Sequence, residues 1–126
     1  MRRSTAPAFG PWLVRGGEIN PALETSCRTK KPRTAIGMIE PYHYVAVFVE
    51  GRMKRSGGVP VRWLAGRMAG LGAVEAINLD GGKTSCLLFM GTKISLSNPD
   101  GRVRSVSGLI GLGESGLAPE WTGPDK

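Results

Sequence analysis

The spacing of hydrophobic positions changes several times along the chain, and each change predicts a secondary-structure element. Residues 9–19, FGPWLVRGGEI, fit a short strand, a Gly-Gly turn and the start of a second strand. Residues 33–51, RTAIGMIEPYHYVAVFVEG, fit two strands separated by a turn near Glu40 and Pro41. Apolar side chains occupy both faces of the second of these strands, which predicts that it is covered on both sides.

A helical spacing of apolar residues follows. The apolar face consists of Val61, Leu64, Ala65, Met68 and Leu71. Pro60 suits a first helical turn and Gly72 suits a C-terminal cap, so we predict a helix from about Pro60 to Leu71. Residues 73–79, AVEAINL, return to a strand pattern. The strands before and after the helix therefore form a crossover unit, and such units join parallel strands in nearly every known case.

Turn residues divide the rest of the chain. Residues 20–31 are polar, which predicts a loop. Residues 85–91 and 102–112 fit further short strands, with turns at Gly91 and at residues 98–101, NPDG. The whole pattern predicts an α/β (α+β) fold: a single domain with a mixed β-sheet, one main amphipathic helix and one strand-helix-strand crossover.

Length and composition agree with one domain. The chain has 126 residues, close to the commonest domain size. Its 19 glycines are well above ordinary usage and indicate many turns. We expect a disordered N-terminus over residues 1–8, a folded domain over 9–113 and a C-terminal tail over 114–126.

The charge balance favours an anionic partner. The net charge is +7, with an isoelectric point near 10.0, and this suits phosphorylated small molecules, nucleic acid or anionic surfaces. An Arg-rich helix or an aromatic-interleaved basic stripe is missing, which makes nucleic acid an unlikely partner and leaves solubility as the alternative explanation for the positive charge.

We expect no membrane span, because no segment approaches the roughly 18 apolar residues required. The N-terminal segment has no apolar run typical of a signal peptide, and the localisation stays unassigned.

Cysteine and histidine usage limits the candidate chemistry. Cys27 and Cys86 lack the spacing of a zinc site, so we expect buried thiols, with a disulfide between them left open for an exported protein. His43 is the only histidine and has no partner at a recognisable spacing, so we expect a structural role. No metal site and no cofactor are predicted, although carboxylates near a phosphate can recruit a divalent cation.

Two predicted strands end in a carboxylate followed by glycine. Glu50 precedes Gly51, and Asp80 precedes Gly81 and Gly82. If the two strands run parallel, both carboxylates emerge at one sheet edge, where open α/β sheets bind ligands. The glycines would let the backbone approach a ligand and offer free N–H groups to an anion. The alternatives are an Asp-Gly hairpin turn at Asp80 and a solvated turn residue at Glu50.

An ordered set of motifs carries a family resemblance. RTAIG, VFVEGR, SGG, the amphipathic helix, LGAVEAINLDGG and TS resemble, in that order, the phosphodiester glycosidase family, to which the lysosomal uncovering enzyme belongs. The resemblance runs from about Phe9 to about Gly113. It implies a hydrolase that cleaves a sugar-phosphate phosphodiester, with a small-molecule or glycan substrate.

The resemblance also implies site residues. Asp80 matches the signature aspartate and is expected to act as nucleophile or base, with Glu50 as acid or substrate orienter. Arg33 is the expected phosphate clamp, since its planar fork can bind two oxygens, and a surface salt bridge is its alternative role. The full set of expected binding positions is Arg33, Thr34, Ser56, Gly57, Asn78, Gly81, Gly82, Lys83 and Ser85.

Departures from the family pattern keep a second function open. Lys83 stands where the family has a third glycine, Thr84 replaces its first signature serine, and Glu50 replaces a usual aspartate. A motif of the Asn-Gly-Gly-Phe-Phe type does not precede Phe9, so we expect a shortened homologue. Lys83 would either pair with phosphate or block the pocket. The alternative function is a catalytically inactive carbohydrate- or phosphate-binding or structural module with the same fold, which could form a homo-oligomer.

Overall fold

The structure is a computed structural model that describes residues 10–24, 29–79, 81–94 and 110–111. The predicted N-terminal disorder, the NPDG turn, most of the predicted 102–112 strand and the C-terminal tail lie outside these ranges, as does Cys27.

In the part of the chain that the structure describes, one helix and a five-stranded sheet form the body of the fold. The strands are β1 (Trp12–Arg15), β2 (Glu18–Ile19), β3 (Arg33–Glu40), β4 (His43–Val49) and β5 (Glu75–Asn78). Their spatial order is β2-β1-β5-β3-β4, and each neighbouring pair is antiparallel. The helix is α1 (Val61–Gly70), and a small hairpin pairs β6 (Leu88–Phe89) with β7 (Thr92–Lys93). This architecture confirms the expected α+β fold. The described strands pair only in the antiparallel sense, however, so the expected mixed sheet is wrong, because β3 separates β4 and β5, the two strands that run in the same direction.

Local patterns located these elements well. Both predicted strand-turn-strand units are confirmed, and the helix agrees with its predicted limits to within a residue at each end. The predicted loop over 20–31 contains a short 3₁₀ turn, Pro21–Glu24. Gly72 caps the helix with a positive φ of 96°; its N–H donates to the Ala69 carbonyl, while the Ala73 N–H donates to that of Met68. This is a Schellman motif, the predicted use of a C-terminal glycine.

The crossover sets the direction of the strands that matter for function. Since β3 is antiparallel to both β4 and β5, these two strands run in the same direction on either side of it, joined through α1. In the registers, Arg33 is opposite Val49 and Ala35 is opposite Asn78. The start of β3 and the ends of β4 and β5 therefore lie at one edge of the sheet.

The core lies between α1 and one face of the sheet. Its buried apolar side chains are Leu13, Val14, Leu23, Ala35, Val61, Leu64, Ala65, Met68, Ala73 and Ala76. Burial of each large side chain contributes about 1.5–3 kcal/mol. Gly37 lets the helix approach β3, because a Cβ there would lie 2.9 Å from Met68 Cε and 2.8 Å from the Glu75 carbonyl oxygen.

Within the described residues, no helix is both long and apolar enough to span a bilayer.

The prediction that β4 is covered on both sides is wrong. Val45, Val47 and Val49 pack against the core. Among the described strands, however, β4 lies at the edge of the sheet, and Tyr44 on its other face is 52% exposed. A shallow groove of about 300 Å³ crosses that face. Its apolar lining includes Trp12, Val14, Ile36, Met38, Tyr44 and Ile77. The one helix found in the described ranges covers one face of the sheet, so the apolar pattern of β4 overstated its burial.

Candidate functional site

Three segments of the chain meet at the sheet edge where β3 begins. They are residues 31–32, the loop 50–60 between β4 and α1, and residues 81–85 after β5. Lys31 and Val59 exchange backbone hydrogen bonds, with the Lys31 N–H 3.4 Å from the Val59 oxygen and the Val59 N–H 3.2 Å from that of Lys31. The Gly82 N–H donates to the Pro32 carbonyl at 3.0 Å. Residues 31–32 are therefore held between the other two segments.

Glycines make this close approach sterically feasible. A Cβ on Gly51 would lie 2.7 Å from the Pro32 nitrogen, and one on Gly81 would lie 3.0 Å from the Pro32 oxygen. A Cβ on Gly58 would lie 2.4 Å from the Lys31 carbonyl oxygen, and Gly58 also has a φ of 88°. These atoms belong to the backbone, so they cannot move aside for a Cβ as the end of a flexible side chain could. The glycine pattern of the motifs thus reflects backbone packing around residues 31–32.

Arg33 lies at this edge but is buried. Only 3% of its surface is exposed. Its Nε donates to the Val59 carbonyl and its Nη2 to the Thr29 carbonyl, both at 2.8 Å. The guanidinium thereby joins β3 to the segments on either side of it. This geometry favours a structural role over the expected phosphate clamp, and it differs from the surface salt bridge that was the alternative.

Glu50 belongs to a compact turn that follows β4. Its Oε2 lies 2.7 Å from Arg55 Nη2 in an ion pair. The Ser56 hydroxyl donates to the Glu50 carbonyl oxygen at 2.7 Å, and Met53 and Ser56 exchange backbone hydrogen bonds. Gly57 follows in an exposed position. The turn thus fixes the place of the Glu50 carboxylate, which keeps 30% of its side-chain surface exposed.

Thr34 and Asn78 each contain a buried oxygen without a hydrogen-bond partner. These atoms are Thr34 Oγ1 and Asn78 Oδ1, although the Asn78 amide nitrogen donates to the Gly10 carbonyl at 3.0 Å. An unsatisfied buried acceptor costs about 1–3 kcal/mol, and such atoms in native structures call for an explanation. Asn78 is opposite Ala35 on the helix-covered face, so Thr34 is on the other face. Thr34 and Asn78 therefore lie close together along the paired strands β3 and β5, but their side chains are on opposite faces of the sheet.

Residues 81–85 form a tight turn with internal hydrogen bonds. Gly82 has a φ of 63° and begins the 3₁₀ turn Gly82–Thr84. The Thr84 hydroxyl donates to the Gly81 carbonyl at 2.7 Å, and Ser85 is buried. The N–H groups of Gly82, Thr84 and Ser85 all donate to backbone carbonyls. The expectation that the glycine amides are free for an anion is therefore wrong at Gly82.

The expected catalytic aspartate cannot be placed within the described residues. Asp80 lies outside them, and so does the side chain of Lys83. The roles of both residues stay predictions. For Lys83, these are the two alternatives of pairing with the phosphate or blocking the pocket. The described neighbours of Asp80, residues 79 and 81, do lie at the glycine-rich edge, since the Leu79 N–H donates to the Thr34 carbonyl at 2.8 Å.

Two cations that the motif analysis did not single out lie beside the Gly81–Gly82 backbone. Arg52 Nη2 is 3.3 Å from the position a Cβ on Gly82 would occupy, and Lys31 Cε is 3.7 Å from the corresponding position on Gly81. Both residues contribute to the net charge of +7, and Arg52 ends the VFVEGR motif. Arg52 carried one usable signal, because it directly follows the Glu-Gly pair at the end of β4.

Other candidate ligands are remote or isolated. His43 lies at the opposite end of the β3-β4 hairpin, 3.8 Å from Glu40, and Cys86 is a half-buried free thiol. The described residues contain no group of three or more His, Cys, Asp or Glu side chains able to hold a metal ion.

The fold and its edge define an α+β domain in which glycine-rich loops bring cationic side chains to the end of a sheet. The chain belongs to the phosphodiester glycosidase family, which matches residues 2–112. It is 33% identical over 102 residues to the SPbeta prophage-derived uncharacterized protein YomE of Bacillus subtilis (strain 168), a match covering 79% of this chain and 16% of that protein.

Two solved structures share the fold. A hypothetical protein from Synechocystis gives a TM-score of 0.55 at 26% identity, covering 70% of this chain and 17% of the other. The catalytic domain of zebrafish N-acetylglucosamine-1-phosphodiester alpha-N-acetylglucosaminidase, auto-inhibited by its pro-peptide, gives 0.59 at 24% identity, covering 68% and 33%. The chain therefore spans between a sixth and a third of these three relatives.

Proposed function

We propose that the chain hydrolyses a sugar-phosphate phosphodiester at the edge formed by the start of β3 and the ends of β4 and β5. The observation that carries this proposal is the packing of the three family motifs around residues 31–32, where Gly51, Gly58 and Gly81 leave no room for a Cβ. Family membership supplies the class of reaction.

Asp80 is the proposed nucleophile or base at the anomeric carbon. Cleavage of the sugar-oxygen bond transfers the bonding electrons to the phosphate oxygen, and water supplies the hydroxyl of the released sugar. A phosphate monoester is a good leaving group, so strong acid assistance is unnecessary. For Glu50 we favour the orienting role over the acid, because the Arg55 ion pair holds its carboxylate as a hydrogen-bond acceptor.

Thr34, Asn78 and Ser85 are the proposed polar contacts to the substrate. The unpartnered oxygens of Thr34 and Asn78 support this assignment, since a buried oxygen without a partner calls for an explanation and a hydrogen bond to the substrate supplies one. Ser56, Gly57, Gly82 and the backbone of Lys83 shape the surrounding loops.

Hydrolysis of an aryl phosphodiester glycoside panel by the purified chain tests the proposal. We expect sugar release that falls to background in Asp80→Asn. Glu18→Gln is the matched control: it makes the same change of charge at an exposed position on β2, away from the site. Wild-type turnover in Asp80→Asn, or no release of sugar from a folded wild-type chain, contradicts the proposal.

The open sheet face supports a second candidate, the non-catalytic module. Its apolar groove and the edge position of β4 suit association with another copy of the chain. Light scattering coupled to size-exclusion chromatography distinguishes the two: a stable oligomer that releases no sugar favours the module, whereas a monomer that releases sugar favours the hydrolase.

A further inference from the structure

We propose that Lys31 and Arg52 form an anion clamp that binds the phosphate of the substrate over the Gly81–Gly82 backbone. This inference rests on the proposed function. The two side chains approach consecutive residues of one turn, with Lys31 Cε 3.7 Å from the Cβ position of Gly81 and Arg52 Nη2 3.3 Å from that of Gly82. An anion at this turn would meet both cations.

The backbone of Arg52 is held in an unfavourable conformation. Its φ is 60°, in the left-handed region that arginine seldom adopts. Gly51 before it packs against Pro32, and Met53 after it is hydrogen-bonded to Ser56, so the loop imposes this geometry. Strained residues are concentrated at binding sites, where the surrounding structure maintains them. The guanidinium of this residue lies beside Gly82.

Arg52 also differs from its neighbouring arginines in its partners. Arg33 donates to two carbonyls and Arg55 pairs with Glu50. Within the described ranges, neither Arg52 nor Lys31 has a side-chain hydrogen bond or an ion pair. Lys31 is nonetheless well positioned, because its backbone pairs with Val59. The two cations are therefore placed by the fold while their charges remain available to a ligand.

The chemistry of the pair suits a phosphodiester. A guanidinium can bind two phosphate oxygens at once, and an ammonium adds a compact point charge. Gly81 and Gly82 carry no side chain that would keep a phosphate away from these two cations. Asp80 directly precedes this turn in the sequence, so phosphate binding here fits the reaction proposed for that residue.

Binding and turnover test the clamp separately. Isothermal titration calorimetry with bis(4-nitrophenyl) phosphate, a diester with one negative charge, measures affinity without sugar chemistry. We expect Arg52→Gln and Lys31→Gln each to weaken this affinity by about tenfold, the typical worth of one charge-assisted hydrogen bond. The same variants should raise KM on the glycoside panel more than they lower kcat. Arg67→Gln, which removes an exposed cation from α1, should change neither quantity.

Arg52→Gly separates a binding role from a structural one. Glycine accepts the positive φ, so this variant should melt no lower than the wild type while losing the same affinity. Unchanged diester affinity in Arg52→Gln and Lys31→Gln overturns the clamp even if the wild type releases sugar. If the variants lose affinity and the wild type releases none, the clamp stands and the hydrolase proposal fails.

Discussion

Gly58→Ala should destabilise the fold strongly, because two separate costs meet at this position. Gly58 has a φ of 88°, and a left-handed conformation costs a residue with a Cβ about 1–2 kcal/mol. The new Cβ would also lie 2.4 Å from the Lys31 carbonyl carbon and oxygen, and overpacking of this kind costs about 1–3 kcal/mol. The predicted loss in free energy of unfolding is about 2–5 kcal/mol, a large part of the stability of a small domain.

Gly57→Ala is the matched control for this experiment. The adjacent glycine has no positive φ, and a Cβ there would meet no atom of the described residues within 4 Å. We expect a change between zero and a gain of about 1 kcal/mol, since alanine restricts the unfolded chain more than glycine does. Urea denaturation followed by circular dichroism measures both variants. Equal midpoints for the two variants would refute the packing that we describe around Lys31.

Two further substitutions test the roles of buried polar residues. Arg33→Lys should lower the free energy of unfolding by about 2–3 kcal/mol, because one ammonium cannot reproduce the two donors directed at the Val59 and Thr29 carbonyls. Urea denaturation measures this loss. A variant as stable as the wild type would show that those hydrogen bonds are dispensable. Thr34→Val should not lower the melting temperature, because it removes a buried hydroxyl oxygen that has no hydrogen-bond partner. The same variant should nevertheless reduce turnover of the glycoside substrate. Unchanged kinetics would show that Thr34 does not belong to the site.

Local patterns were sufficient for most of the fold. The helical spacing of apolar residues, with Pro60 at the start and Gly72 at the end, located α1 because capping and amphipathicity act within a few residues. Turn residues located the hairpins for the same reason. The shared edge of β4 and β5 also followed, since a strand-helix-strand unit returns the chain in its original direction.

The burial of β4 and the partners of the arginines depended on tertiary contacts. The apolar pattern of β4 is the same whether one face is covered or two, and only the position of the strand in the sheet shows that Tyr44 is exposed. Arg33 resembled a phosphate ligand by its motif, yet its donors contact carbonyls of residues 29 and 59. Val59 is 26 residues from Arg33, and no spacing rule relates residues so far apart in sequence.

The amino-acid order alone was enough to establish the family, the helix, the hairpins and the edge at which the motifs meet. The family follows from the resemblance of an ordered set of motifs, whereas the helix, the hairpins and the edge depend on periodicity and turn chemistry, which operate over short stretches of chain. Tertiary structure decided which cations are available at that edge, because a side chain's partners are set by the backbone segments packed against it. Lys31 and Arg52 emerged only once residues 31–32, the 50–60 loop and the 81–85 turn were seen in contact.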